Sequence, residues 1–167
     1  MNDFDKTWSS YPWLITHKKP HDHQSTIIDM IKSSNKKVFV AKGRVGLVTK
    51  MFMQRLSQLG HSVAHSEDIL VPRLDKNDLV IFVTASGNTA SSLAYVDIAK
   101  KCNCKTLAIT FNPEGKISKQ CDVVCDFEQS DSQDNLMKSY YELGFIYIFE
   151  RIISLMPEDQ FVHTNFE

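Results

Sequence analysis

From about Lys37 onward, short apolar, β-branched runs alternate with longer stretches whose apolar positions recur at helical spacing. That alternation is the pattern of βαβ units around a parallel sheet. The candidate strands are KKVFVA (36–41), HSVAH (61–65), LVIFVT (79–84), KTLAIT (105–110) and CDVVCDF (121–127). Between them, GLVTKMFMQRLSQLG (46–60), closed by Gly60, and TASSLAYVDIAKKC (89–102) read as crossover helices. NPEGKISKQ (112–120) opens on an Asn-Pro turn signal and has room for one short helix. Upstream, DHQSTIIDMIKSSN (22–35) forms a further helix, while residues 1–22 carry Trp8, Tyr11 and Trp13 without a periodic pattern. The chain thus divides into an N-terminal arm, 1–22, and one domain, 23–167.

The last segment behaves differently. After the acidic, Ser-rich EQSDSQD comes NLMKSYYELGFIYIFERIISLM (135–156), apolar on most faces, with Glu142, Glu150 and Arg151 among its few charges. A helix apolar nearly all round is buried on several sides. One sheet does not cover such a helix in a domain of this size, so the pattern predicts that part of it packs against another subunit, with a hydrophobic helix lying under the sheet of a single domain as the alternative.

Composition narrows the function classes. Of the 167 residues 43% are hydrophobic, enough for an ordinary core, and the formal net charge is −1. Lys and Arg are spread along the chain rather than gathered into a block, which argues against nucleic acid or an anionic membrane as partner. No apolar run approaches the ~20 residues of a bilayer span, and MNDFDKTWSSYPW lacks the features of a signal peptide, so the expected compartment is the cytoplasm. Cys102, Cys104, Cys121 and Cys125 read as reduced, and CNC and CDVVC lack the spacing of a zinc site. His21 and His23 have no third ligand candidate nearby in sequence, so no metal is expected.

In an open parallel sheet, ligands bind beyond the carboxyl ends of the strands, where the winding direction reverses. For strand order 2-1-3-4-5 the loops at that point are AKGRVG (41–46) and TASGNT (84–89). Each contains glycine and opens a helix whose unpaired N–H groups attract an anion. TASGNT adds neutral hydroxyls, suited to surrounding a phosphate ester; AKGRVG adds Lys42 and Arg44, whose guanidinium forms bidentate pairs with phosphate oxygens. Helix capping alone would also use Ser, Asn and Thr here, although one cap needs fewer hydroxyls than TASGNT supplies. Neither dinucleotide nor P-loop spacing is present, which favours a phosphorylated small metabolite over ATP or NAD.

With those loops placed, residues 24–167 resemble the sugar isomerase (SIS) family of phosphosugar-binding domains, and within it the 6-phospho-3-hexuloisomerase branch. VFVAKGRVGLVTKMFMQRLSQLGHSV is similar to that branch's first strand, G-x-G-R-S-G loop and helix. DLVIFVTASGNTASSLAYVDIAKKCNCKTLAITFNPEGKISKQCDVV is similar to its S-G-S-G-E-T loop and the rest of the sheet. SYYELGFIYIFERIISLM and FVHTNFE match its L-F-E-bearing long helix and its closing R-H-A-N-L-E.

The resemblance implies a three-layer α/β/α fold with a five-stranded parallel sheet of flavodoxin-like order 2-1-3-4-5, a homo-oligomer, commonly a tetramer, and no cofactor. It implies interconversion of a 3-hexulose 6-phosphate with fructose 6-phosphate, in which a base takes the C2 proton, an enediol forms, and a proton returns at C3. By likeness Glu142 would be the base, and His163, from the same or a neighbouring subunit, would assist proton traffic or ring opening. By the same likeness Gly43, Arg44, Thr84, Ser86, Gly87, Asn88 and Thr89 would hold the sugar phosphate. Lys42, Val45, Thr84 and Asn88 stand where the pattern has glycine, serine, serine and glutamate, and Leu70 and Val71 where threonines are common. Those departures keep a second reading open, a non-catalytic phosphosugar-binding module.

Overall fold

A computed structural model describes residues 20–127 and 140–156 of the chain. Its elements run α1 (Pro20–Ser33), β1 (Lys36–Val40), α2 (Gly43–Gln58), β2 (Ser62–His65), β3 (Leu79–Thr84), α3 (Ala90–Lys101) and β4 (Lys105–Thr110). A 3₁₀ turn (Ser118–Gln120), β5 (Val123–Asp126) and α4 (Tyr140–Ser154) complete them. The five strands form one parallel sheet of order β2-β1-β3-β4-β5. β3 is buried at every position, because a parallel strand covered on both faces is apolar on both.

The two faces of the sheet are covered unequally. α1, α2 and α4 share one core with Phe39, Leu79, Ile81, Leu107 and Ile109, whereas a smaller cluster beneath α3 gathers Val40, Val80, Phe82, Val96 and Ile117. On the larger face Phe52 of α2 stacks on Phe149 of α4 with ring centroids 4.3 Å apart. Most apolar positions of α4 are therefore covered within one chain: Phe145, Tyr147, Ile148, Phe149, Ile152 and Ile153 are buried, and Leu143 and Ile146 partly so. The second subunit inferred from the helix pattern is not needed to bury them, because α1 and α2 flank the helix while the sheet floors it. The most exposed large apolar side chains lie elsewhere, at Leu47 and Met51 on α2 and at Ile69 and Leu70, 100% and 87% exposed, between β2 and β3, while Tyr141 at the start of α4 and Leu155 just past its end are exposed to a lesser degree.

α1 begins at Pro20, inside the segment assigned to the arm; Trp8, Tyr11 and Trp13 lie outside the described residues. His23 on α1 lies 3.3 Å from Asp126 at the end of β5. Cys102, Cys104, Cys121 and Cys125 are free thiols, and burial pushes Cys121 and Cys125 up to about 12. Among the described residues, no helix is long and apolar enough to cross a membrane.

Candidate functional site

The reversal of strand order falls between β1 and β3, so the loops after these strands lie side by side at the carboxyl edge. α2 begins at Gly43, earlier than the apolar periodicity implies, and this places Arg44 in its first turn. Gly43 has φ +58°, a left-handed turn that lets the chain pass from β1 into the helix. Lys42 is the N-cap residue and forms no side-chain cap.

Both cations of this loop reach acidic partners. Lys42 Nζ lies 2.8 Å from Glu67 Oε1, beyond the end of β2. Arg44 Nε donates to Glu142 Oε1 at 3.0 Å, which joins the first turn of α2 to α4. The Arg44 side chain is 61% exposed and that of Glu142 only 13%. The other carboxylate oxygen, Glu142 Oε2, is buried and has no hydrogen-bond partner among the described residues. Thus the sheet brings together two residues that the sequence pattern named separately, and it leaves one carboxylate oxygen uncommitted.

The loop after β3 is held by neutral groups. Gly87, at φ +69°, donates its N–H to Thr84 Oγ1 at 3.0 Å. The Ser86 carbonyl accepts from Asn88 Nδ2 and from Asn112 Nδ2, both at 2.9 Å. Asn88 Oδ1 accepts from the Lys116 N–H at 3.2 Å, and the Gly87 carbonyl from the Ile117 N–H at 2.9 Å. Thr89, the N-cap residue of α3, makes no side-chain cap bond. N-capping by Thr89 therefore does not account for the hydroxyls of TASGNT: Thr84 and Asn88 shape the turn, the exposed Ser86 hydroxyl accepts from the Asn88 N–H at 3.4 Å, and Thr89 is half-buried at the helix entrance.

Val45, at the family's serine position, packs against the larger core. His163 lies outside the described residues. Sequence reasoning did not single out Phe111, Asn112, Gly144 or His65. The Asn-Pro pair was visible only as a turn, and nothing local shows that Asn112 reaches across to another loop. His65, at the end of β2, is fully buried, and its Nδ1 accepts from the Glu67 N–H at 3.2 Å. Burial, reinforced by Lys50, lowers its pKa below the ordinary imidazole value. Nε2 then carries the ring proton and has no partner among the described residues.

Two helix N-termini, a neutral turn rich in donors and an arginine make a site suited to a phosphate ester, and the adjoining carboxylate suits proton transfer. A family model for the SIS domain matches residues 30–147. A Bacillus subtilis protein named 3-hexulose-6-phosphate isomerase is 31% identical over 129 residues, covering 76% of this chain and 70% of its own. A solved structure from Methanococcus jannaschii, for which a 3-hexulose-6-phosphate isomerase function was inferred, has a TM-score of 0.74 at 24% identity and covers 90% of this chain and 81% of that one. The Vibrio vulnificus NanR protein, complexed with ManNAc-6P, has a TM-score of 0.66 at 14% identity, covering 79% of this chain and 52% of that one. With the family model spanning most of the sequence and the observed sheet order agreeing, this chain belongs to the SIS domain family.

Proposed function

We propose that the protein is a phosphosugar isomerase of the hexuloisomerase type, converting a 3-hexulose 6-phosphate into fructose 6-phosphate. The observation that carries this reading is the 3.0 Å contact between Arg44 and Glu142 at the carboxyl end of the sheet. Glu142 removes the C2 proton, the electron pair moves toward the C3 carbonyl to give an enediol, and a proton returns at C3 as the C2 hydroxyl becomes the carbonyl. Arg44 holds Oε1 and orients the carboxylate; Oε2, which has no hydrogen-bond partner among the described residues, takes the proton. Gly43, Ser86, Gly87 and Thr89 surround the phosphate, within a turn shaped by Thr84 and Asn88, and His163 assists proton traffic. The name of the Bacillus subtilis relative supports the substrate, and the ManNAc-6P complex of the Vibrio vulnificus neighbour supports a sugar phosphate more broadly.

The proposal includes a cytoplasmic, self-associating protein, with exposed Leu47, Met51, Ile69 and Leu70 as the apolar surface available to a second copy. One observation favours the alternative of a non-catalytic binding module: Val45 turns into the core where the family pattern has a serine. Incubating the protein with fructose 6-phosphate in deuterated water separates the two. Deuterium appearing at C3 of fructose 6-phosphate, lost in Glu142→Gln, supports the enzyme. A ligand-induced rise in melting temperature without exchange leaves the binding module.

A further inference from the structure

Phe111 and Asn112 directly follow β4 and face different halves of the site. The Phe111 ring sits on the turn of α4 that carries Glu142: its centroid is 5.5 Å from that of Tyr141 and 4.9 Å from that of Phe145. Gly144 makes this seat possible, since a Cβ there would lie 2.6 Å from Phe111 Cζ. The next side chain, Asn112, donates to the Ser86 carbonyl at 2.9 Å. Three residues on, a Cβ at Gly115 would lie 2.7 Å from the Gly87 Cα, so the two backbones touch. One short loop therefore grips the base-bearing helix with one residue and the phosphate turn with the next.

We propose that Phe111 and Asn112 are positioning residues that set the distance between the carboxylate of Glu142 and the phosphate held at Ser86–Thr89. The inference rests on the reading of Glu142 as base and of TASGNT as phosphate turn. Its physical ground is that proton abstraction tolerates little misplacement: an error of about 1 Å costs on the order of 10²-fold in rate. Phosphate binding at the turn is also transmitted through Asn112 and Phe111 to α4.

The test has two arms. In the kinetic arm, Phe111→Leu lowers kcat for C3 exchange of fructose 6-phosphate by about tenfold or more with KM nearly unchanged, while Asn112→Ala raises KM more than it lowers kcat. Gly144→Ala also lowers kcat, although alanine favours a helix over glycine, and adding Phe111→Leu to it recovers part of the rate. Folded variants with wild-type kcat and KM overturn the proposal. The second arm does not need turnover: amide hydrogen exchange of residues 141–149 is followed with and without fructose 6-phosphate or inorganic phosphate. Protection gained in the wild type and lost in Asn112→Ala supports the joint even if no isomerisation occurs, a result that would count against Glu142 as base alone. No response of α4 to either ligand overturns the joint, whatever the turnover.

Discussion

The loops after β1 and β3 occupy equivalent places, each ending a central strand and opening a helix, yet they are held in opposite ways. The first extends its cations across space, Lys42 to Glu67 and Arg44 to Glu142. The second is closed by neutral hydrogen bonds, through Thr84 and Asn88 within the turn and Asn112 from the loop after β4. A charged side chain on a flexible stem recruits a distant partner and can exchange it for a ligand. A turn of short polar residues gains its shape only from neighbours that fit it, so it is ready-made for one kind of group. The first loop thus brings charge to the edge of the sheet, and the second brings a fixed outline.

The sharpest break of this division is Glu142→Gln. It removes the negative charge facing Arg44 and the proposed base together, so C3 exchange is expected to fall by roughly 10²–10⁴ while fructose 6-phosphate still raises the melting temperature. Arg44→Gln follows, with kcat/KM down by about 10–100-fold from the loss of a charge-assisted contact; an unchanged value would mean that the first loop carries no charge to the reaction. For the second loop the test is stability. Gly87→Ala meets both a φ of +69° and a Cβ 2.9 Å from the Gly115 Cα, and is expected to cost about 2–3 kcal/mol, seen as a melting temperature lower by roughly 5–10 °C. Gly60→Ala, at φ +82° with open space around the Cβ, should lose less than half of that.

His65 adds a smaller, pH-dependent effect beside the first loop. Its pKa is lowered in the folded protein, chiefly by burial, so the unfolded chain binds the proton first as the pH falls. The contribution is complete above the ordinary imidazole value of about 6.5 and is lost below it. Thermal melts between pH 7.5 and 5.5 should show declining stability, and His65→Leu should flatten that slope. Last, light scattering should report a species larger than the 19.1 kDa chain. A monomer would remove the self-association part of the proposal and leave both loops as described.

How much of this was legible depended on the range of the interaction. Strand positions were readable to within a residue or two because buried parallel strands are apolar, β-branched runs of the right length. Arg44 and TASGNT stood out because their residue types suit an anion at a helix entrance. For α4 the apolar faces are legible but not what covers them: that α1 and α2 both pack on it is a matter of tertiary placement. At Asn88 the side-chain amide and carbonyl oxygen hold Ser86 and Lys116, bonds invisible in the sequence because they depend on how a second loop is placed.

The sequence by itself determined the parallel sheet, its order of elements and the two glycine-containing loops at the switch point, because periodicity and turn chemistry are local properties. Only the tertiary structure decided that Arg44 meets Glu142, that Gly144 admits Phe111 and that Asn112 grips the Ser86 carbonyl. Those contacts join segments far apart along the chain, and packing alone sets their distances.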